Sequence, residues 1–316
     1  MKAEFLVTGG AGFIGSNIVH HLVAAERRVR VLDNLATGRR ENLAGIEGRF
    51  EFCQADVRDA NAVRAAVGGV RYVLHLAALP SVPGSVEDPA GSHAVNLDGT
   101  LNVLLAARAE GVERVVFASS SAVYGDAPGL PKEESMRPAP LSPYAVQKLA
   151  GEYYHQIFHG LYGLQTFCLR YFNVFGPRQN PASQYAAVIP LFIRALLRGE
   201  PPVIYGDGLQ TRDFVFVEDV VRANLCCCTA PAEAAGAVYN IAGGERLSVK
   251  ALAELLARVV GAPLTPRHAA PRPGDIRDSH ADISLARERL GWRPEVALEA
   301  GLRQTVAWFA HDRAGH

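Results

Sequence analysis

The sequence lacks an excess of charge of one sign and lacks any long apolar run. Its 316 residues carry 32 basic and 32 acidic side chains, so the formal net charge at pH 7 is zero. Such a chain has no excess of positive charge with which to bind nucleic acid or an anionic membrane. No stretch approaches the roughly 20 apolar residues that a membrane-spanning helix needs. We therefore predict neither a nucleic-acid partner nor a membrane span.

Cysteine is also scarce, with five residues, three of them consecutive (Cys226–Cys228). An odd number without the spacing of metal ligands predicts no metal site. The consecutive cysteines follow EDVVRANL and are expected to continue that helix as small buried residues. The first residues, MKAEFLVTGG, run straight into a predicted strand and contain no secretory apolar region. We expect the protein to be cytoplasmic.

Short apolar runs alternate with helix-period segments through the first half of the chain. The predicted strands are EFLVTGG, RRVRVLDN, FEFCQAD, RYVLHLAA and RVVFASS, with QTFCLRYFNVFG and AVYNIAGG as further strands of the same sheet. This alternation predicts an α/β fold with a Rossmann-type, doubly wound parallel sheet. We predict a nucleotide-binding domain at 1–175, completed by later strands near 214–243. Residues 176–316 are predicted to form mainly a smaller α/β substrate-binding portion with long loops.

A glycine-rich turn follows the first predicted strand and opens a helical segment. In TGGAGFIGSNIVHHLV, Gly9, Gly12 and Gly15 give the pattern G-x-x-G-x-x-G. Glycines at this spacing permit a tight turn, close backbone approach to a pyrophosphate and close packing of the helix on the sheet. The helix N-terminus adds amide donors and the positive end of its dipole. In this strand–turn–helix context the pattern predicts a dinucleotide site.

Two carboxylates are placed for the adenosine half of such a dinucleotide. Asp33 ends the second predicted strand, 18 residues after Gly15, where it can accept hydrogen bonds from a ribose diol. A carboxylate there repels a 2′-phosphate and favours NAD over NADP, although the arginines of TGRREN lie near enough to keep NADP open. Asp56, after FEFCQA, is placed to meet the adenine edge, with a helix cap as an equal alternative.

The segment SPYAVQKLAGEYYHQIF carries a tyrosine and a lysine four residues apart, Tyr144 and Lys148. Ser142 followed by proline is a helix-start signal, and positions i and i+4 then share one helical face. A nearby ammonium favours the phenolate, so such a tyrosine can act as a general base near neutral pH. Because the chain has only four lysines, its composition predicts about 0.1 such pairs by chance. An amphipathic helix with both side chains facing solvent is the alternative.

The motifs TGGAGFIG, DVRD, HLAA, ASSSAVYG, YAVQK and RYFNVFGPRQ occur in this order and cover much of the chain. With them, the sequence resembles the extended short-chain dehydrogenase/reductase family. GDGLQTRDFVFVEDV and RPGDIRDSHADISLARERLGW narrow the resemblance to nucleotide-sugar 4-epimerases. It implies a Rossmann-type domain that holds NAD, a C-terminal portion that holds a UDP-sugar, and a homodimer. The dimer would form through LDGTLNVLLAARAEG and the helix that carries Tyr144.

The resemblance also assigns roles to individual positions. For NAD it implies Gly9, Gly12, Phe13, Ile14, Gly15, Asp33, Asn34, Asp56, Val57, Leu76, Ala77, Ala78, Asn96, Tyr144, Lys148 and Tyr171. For the UDP-sugar it implies Ser120, Asn173, Ala187, Val188, Arg212, Arg272, Asp275 and Ser279.

The implied reaction places four side chains at the sugar. Tyr144, as phenolate, would take the proton of the 4-hydroxyl while C4 gives a hydride to NAD, and the hydride would return to the opposite face of the 4-keto sugar. Lys148 would lower the pKa of Tyr144 and bind the nicotinamide ribose. Ser120 matches the position that hydrogen-bonds the reacting oxygen, with Ser121 a close second, and turn chemistry is the alternative for these serines. Related dehydratases and decarboxylases carry acidic residues just after this serine, whereas Ala122 and Val123 stand here.

Ser279 matches a position beside the sugar C2 substituent. A small residue there leaves room for an acetamido group, so UDP-N-acetylglucosamine and UDP-N-acetylgalactosamine are the expected substrates, with UDP-glucose and UDP-galactose also open. A UDP-glucuronate 4-epimerase, or another NAD-dependent nucleotide-sugar enzyme of the dehydratase or decarboxylase type, is the alternative. A non-catalytic NAD-binding sensor is a remote one.

Overall fold

The computed structural model describes residues 3–180, 187–271 and 276–314. The strands of this part are β1 (Phe5–Thr8), β2 (Val29–Asp33), β3 (Glu51–Gln54), β4 (Tyr72–His75), β5 (Arg114–Ser120), β6 (Gln165–Tyr171), β7 (Asn173–Phe175), β8 (Val203–Tyr205), β9 (Thr211–Phe216), β10 (Ala237–Ile241), β11 (Arg246–Ser248) and β12 (Arg267–Ala269). The helices are α1 (Phe13–Ala24), α2 (Ala60–Val67), α3 (Val82–Glu87), α4 (Pro89–His93), α5 (Gly99–Ala109), α6 (Pro143–Tyr162), α7 (Val188–Leu197), α8 (Val217–Thr229), α9 (Val249–Val260), α10 (Ser284–Leu290) and α11 (Leu298–Ala314).

The main sheet has seven parallel strands in the order β10-β6-β5-β4-β1-β2-β3. Its strands are apolar on both faces because helices cover both: Val7 packs in the core with α1 and α8, and its neighbour Leu6 packs in the core with α2 and α5. The strand order reverses between β1 and β4, which in such sheets opens a ligand crevice at the carboxyl ends of the strands. The predicted α/β, Rossmann-type parallel sheet is confirmed.

One predicted strand of this sheet is wrong in part. QTFCLRYFNVFG divides into β6, which joins the main sheet, and β7, which pairs with β9 in a separate three-stranded sheet of order β11-β9-β7. The chain turns at Phe172, whose amide donates to the Ile241 carbonyl at 3.0 Å, and the following residues leave the main sheet. Of the later strands expected near 214–243, β10 completes the main sheet and β9 does not. The domain boundary at residue 175 stays a prediction.

The second half of the chain builds its own apolar core on the small sheet. Phe216 from β9, Ile193 from α7, Leu252 from α9 and Leu302 from α11 are buried in it. The predicted helix through Cys226–Cys228 is observed as the last turns of α8. None of the helices in the described ranges is both long and apolar enough to cross a membrane.

Helix α6 begins where the sequence predicts. The Ser142 side chain caps it by accepting a hydrogen bond from the Ala145 amide at 3.2 Å, and proline takes the first helical position. The helix ends at Tyr162, before Gly163 in the left-handed region with φ 70°. Helix α6 packs on β5 and β6, and its residues 144, 148 and 152 face inward and are buried.

Candidate active site

The glycine-rich turn between β1 and α1 is built for close backbone approach. A Cβ atom at Gly15 would lie 2.2 Å from the Gly9 carbonyl oxygen, and a Cβ atom at Gly9 would lie 2.8 Å from the Ala77 nitrogen. Gly9 also has a φ of 68°, in the left-handed region that favours glycine. The first amides of α1 therefore point out of a turn without side-chain cover, which fits the pyrophosphate of a dinucleotide.

Asp33 stands at the carboxyl end of β2, directly beside this turn. Its Oδ2 accepts a hydrogen bond from the Ala11 amide at 2.9 Å, and its Oδ1 accepts one from the Leu35 amide at 2.8 Å. Each carboxylate oxygen has a further lone pair, which a ribose diol could use. Gly38, which the sequence reasoning missed, packs closely against both Asp33 and the glycine-rich turn. A Cβ atom there would lie 3.0 Å from Asp33 Oδ2. The sequence signal that could have indicated Gly38 was the glycine of ATGRR, shortly after Asp33.

Asp56 lies after β3 among polar side chains. Asn34 Nδ2 donates to its Oδ2 at 2.8 Å, and Arg58 donates to both oxygens at 2.8–2.9 Å. These bonds, that of Arg58 above all, hold the pKa of Asp56 well below its usual range. Asp59, not Asp56, accepts the amides that cap α2, so the helix-cap alternative is wrong. The contact of Asp56 with adenine stays a prediction, and Val57 beside it is buried.

The loop after β4 closes the other side of the glycine turn. The Thr8 hydroxyl accepts hydrogen bonds from the amides of Leu76 and Ala77, both at 3.2 Å. The same hydroxyl bonds His75 Nδ1 at 2.7 Å, which fixes the end of β4 against β1. This loop, which also contains Ala78, is therefore held at the crevice where Phe13 and Ile14 begin α1. Its predicted contacts with NAD remain predictions.

Two further residues predicted for NAD have side chains that already bond inside the protein. Asn96 is buried: its Oδ1 accepts from the Leu79 amide at 2.7 Å, and its Nδ2 donates to Gln147 Oε1 at 2.8 Å. Tyr171 Oη donates to Asn224 Oδ1 at 3.0 Å. Both side chains steady the walls of the crevice. A direct contact with the cofactor stays a prediction for each.

Helix α6 and strand β5 bring Tyr144, Lys148 and Ser120 together. Ser120, at the carboxyl end of β5, is near enough to the Tyr144 phenol to lower its pKa. Lys148 Nζ donates to the Ala118 carbonyl at 2.8 Å and lies 5.8 Å from the centre of the Tyr144 ring. Ser121 begins the next turn, and no hydrogen bond from Tyr144 to its side chain is among those described. The structure thus places Ser120 beside the phenol, and which of the two serines contacts the reacting hydroxyl stays a prediction.

The electrostatics of the pair differ from the sequence expectation. Burial raises the pKa of Tyr144, and the hydrogen bond with Ser120 offsets only part of this rise. Burial lowers the pKa of Lys148 to about 8, against the opposing charge of Glu152. Lys148 is not among the causes of the Tyr144 shift, so its predicted effect on that pKa stays a prediction. Desolvation of the phenol is the larger effect here, and the Lys148 ammonium donates to the Ala118 carbonyl.

Four of the residues predicted to hold UDP line one cavity, whose walls all come from the second half of the chain. Its volume is about 260 Å³. Asn173 from β7, Arg212 from β9 and the N-terminus of α7, with Ala187 and Val188, form its walls together with Tyr205. The predicted Arg272 and Asp275 lie outside the described residues.

Ser279 is joined to the same wall through β9. Its amide donates to the Thr211 carbonyl at 3.1 Å, next to Arg212, and the Ser279 side chain is half-buried. Asp213, which the sequence reasoning did not single out, clamps this segment: its carboxylate accepts the amides of Gly243 at 2.7 Å and Ala281 at 3.1 Å. Burial raises the pKa of Asp213 to about 6. Its place beside Arg212 in TRDF was the only sequence signal.

A family model described as the NAD-dependent epimerase/dehydratase family matches residues 5–242. The UDP-glucose 4-epimerase of Mycolicibacterium smegmatis is 44% identical over 308 residues, covering 96% of this chain and 97% of that protein. Among solved structures, the UDP-N-acetylglucosamine 4-epimerase of Methanobrevibacter ruminantium M1 in complex with UDP-N-acetylmuramic acid superposes with a TM-score of 0.94 at 42% identity. That match covers 99% of this chain and all of the other.

The UDP-glucose 4-epimerase of Thermus thermophilus in complex with NAD has a TM-score of 0.87 at 40% identity, covering 97% of this chain and 99% of that one. The strand order, the glycine turn that only a bare backbone can form, and full-length similarity at 40–44% identity all agree. The chain therefore belongs to the NAD-dependent epimerase/dehydratase family, of the short-chain dehydrogenase/reductase type, and its cofactor is NAD.

Proposed function

We propose that the protein is a 4-epimerase of UDP-sugars that interconverts UDP-N-acetylglucosamine and UDP-N-acetylgalactosamine, with UDP-glucose and UDP-galactose as further candidate substrates. The observation that carries this proposal is the convergence of Tyr144, Lys148 and Ser120 at the carboxyl edge of the sheet. A phenol bonded to a hydroxyl, with a buried ammonium behind it, is suited to moving one proton to and from an alcohol.

Each of these side chains has a part in that proton transfer. Tyr144 takes the proton of the sugar 4-hydroxyl and later returns it, while Ser120 bonds the same oxygen. When bound, NAD would supply the hydride acceptor for C4 and the positive charge of its nicotinamide ring. Lys148, from the adjacent turn of α6, adds further positive charge that favours the phenolate. Burial of Tyr144 and Lys148 keeps water from the pair, which protects the 4-keto sugar.

The UDP moiety is assigned to the 260 Å³ cavity. The Arg212 guanidinium suits a diphosphate because it donates two parallel hydrogen bonds and keeps its charge. Asn173 offers amide donors, and Ala187 and Val188 offer an apolar edge for the uracil. The small Ser279 leaves space at C2 for an acetamido group. The Methanobrevibacter ruminantium relative, whose structure holds a UDP-linked N-acetylated sugar, supports this choice of substrate.

The same family contains dehydratases, so the net reaction needs its own test. Elimination requires an additional acid and base at the sugar. Here Ser120 is followed by Ser121, Ala122 and Val123, none of which can serve as a carboxylic acid. We therefore expect the 4-keto sugar to be reduced again rather than to lose water or carbon dioxide.

Purified protein loaded with NAD should be incubated with each UDP-sugar, UDP-glucuronate included, and followed by proton NMR. Inversion at C4 without change of mass supports the proposal, with the N-acetylated pair turned over most efficiently. Loss of water or carbon dioxide would replace it with the dehydratase or decarboxylase alternative. Inversion of UDP-glucuronate alone would identify the protein as a UDP-glucuronate 4-epimerase. No turnover of any UDP-sugar would favour an NAD-binding sensor.

We also propose a homodimer in the cytoplasm, with α5 and α6 at the interface. Val146, Tyr153, Ile157 and Leu161 follow one face of α6, and each is 49–72% exposed; Leu105 of α5 is 48% exposed. Such an apolar stripe on two adjacent helices suits the same stripe of a second copy. Light scattering should give twice the chain mass, and Leu161→Glu should give a monomer. Leu209→Glu, at a loop residue 54% exposed, is the control. A monomeric wild-type protein would contradict the proposal.

A further inference from the structure

Three consecutive residues at the end of β5 each meet a different residue of α6. Ala118 accepts from Lys148, and Ser120 lies beside the Tyr144 phenol, as described above. Between them, Ser119 Oγ donates to Glu152 Oε1 at 2.5 Å. Both residues of the middle bond are buried. It joins the strand that carries the catalytic serine to the helix that carries the tyrosine and the lysine.

Glu152 is held on its other side by Arg170 of β6. The guanidinium donates Nε to Oε1 at 2.9 Å and Nη2 to Oε2 at 2.7 Å, and the two side chains are only 1% and 4% exposed. Arg170 is the residue opposite Ser119 in the pairing of β5 with β6. Its guanidinium also lies 4.6 Å from the centre of the Tyr124 ring. The carboxylate therefore ties α6, β5 and β6 together directly behind the site.

Charge gives the carboxylate a second role. Glu152 lies one helical turn after Lys148, on the same buried face of α6. Burial of the ammonium favours its neutral form, and Glu152 is the charge that opposes this effect. A neutral lysine would no longer favour the phenolate.

We propose that Glu152 is a positioning residue for the catalytic pair, which holds the end of β5 through Ser119 and keeps the Lys148 side chain in its ammonium form. This inference rests on the proposed function, because the pair must act in proton transfer for the position of its supports to affect turnover. Arg170 neutralises the buried carboxylate, and the two side chains act as a unit.

The test removes the carboxylate together with its guanidinium partner. Glu152→Gln by itself strands the guanidinium of Arg170, so Glu152→Gln/Arg170→Gln is the main variant, and the two amides can bond each other. We expect it to keep its NAD and its KM within about threefold, to lose at least about 30-fold in kcat, and to show the alkaline limb of its pH–rate profile at lower pH. Glu113→Gln, in an exposed ion pair with Arg71 at the opposite end of β5, should match the wild type.

A second variant and a readout independent of turnover complete the test. Because the chain has only four lysines, selective ¹³Cε labelling of lysine lets NMR follow the titration of Lys148. The Lys148→Arg variant assigns the Lys148 signal. Its midpoint should fall from about 8 by about one unit in the double variant. Ser119→Ala should lower kcat several-fold and leave the lysine titration unchanged.

An unchanged Lys148 midpoint in the double variant would overturn the inference that Glu152 keeps the lysine in its ammonium form. Wild-type kcat in Ser119→Ala would overturn the inference that Glu152 holds the end of β5 through Ser119. A wild-type enzyme without C4 inversion would overturn the proposed function instead. The lysine titration would still decide the electrostatic half in that case.

Discussion

His155 lies on α6, beyond Tyr144 and Lys148, and its ionisation should cost the folded protein stability in mild acid. Its Nδ1–H donates to the Gly151 carbonyl at 2.7 Å, and its ring stacks on Phe117 with the ring centres 4.5 Å apart. No hydrogen-bond partner for Nε2 is found among the described atoms. Burial, aided by the charge of Lys148, lowers the pKa of His155 from 6.5 to about 4.

The size of the effect follows from these two pKa values. In the unfolded chain the imidazole takes up its proton near pH 6.5, whereas in the folded protein it does so only near pH 4, so stability is lost as the pH falls between these values. The linkage relation gives a loss of about 2 kcal/mol between pH 7 and pH 5 from this one residue, and about 3 kcal/mol once the pH is below 4. His75, whose pKa burial also lowers, adds to the loss in the wild type.

Replacement by Phe keeps the stack on Phe117 and removes the titrating group. Its cost in packing and in the Gly151 hydrogen bond is the same at each pH, so the test is the slope and not the absolute stability. Urea unfolding by circular dichroism at pH 7, 6 and 5, with saturating NAD, should show His155→Phe losing about 2 kcal/mol less than the wild type over this range. His21→Phe, at an exposed position, should keep the wild-type slope. Parallel slopes for His155→Phe and the wild type would refute the reasoning.

Three further outcomes are expected at the site. Tyr144→Phe should lower turnover at least about 10³-fold with bound NAD unchanged, since it removes only the proton carrier; retained turnover would exclude Tyr144 as the base. Gly15→Ala, whose Cβ would lie 2.2 Å from the Gly9 carbonyl, should weaken NAD binding at least about tenfold in a fluorescence titration, whereas Gly160→Ala, with open space at its Cβ, should not. Ser279→Tyr should reduce the ratio of kcat/KM for UDP-N-acetylglucosamine over UDP-glucose at least about tenfold, and an unchanged ratio would remove Ser279 from specificity.

The features that could be predicted from the sequence are those that depend on neighbours along the chain. The glycine spacing, the Ser142 cap and the i, i+4 relation of Tyr144 and Lys148 are each contained in one short segment, and the structure has them as predicted. The strands β1, β2, β4 and β5 were found because buried parallel strands are apolar on both faces. The departure of β7 from the sheet was missed, since nothing in RYFNVFG marks the turn at Phe172.

The supports of the site depend on distant residues. Glu152 and Arg170 belong to different elements, and only the packing of α6 on β5 and β6 turns them into a buried ion pair. In the same way Asp213 meets the amides of Gly243 and Ala281 only in the folded chain. No local pattern distinguishes such residues from charges on the surface.

The sequence by itself thus determined the parallel sheet of the first half, the cofactor turn and the helical face that Tyr144 and Lys148 share. Only the tertiary structure decided which residues share the cavity of Asn173 and Arg212, and in which direction the pKa values of Tyr144 and Lys148 shift. The physical reason is that the proximity of two side chains on a helix is local. The free-energy cost of burying a charge, and the partners that offset it, are set by segments far apart in the chain.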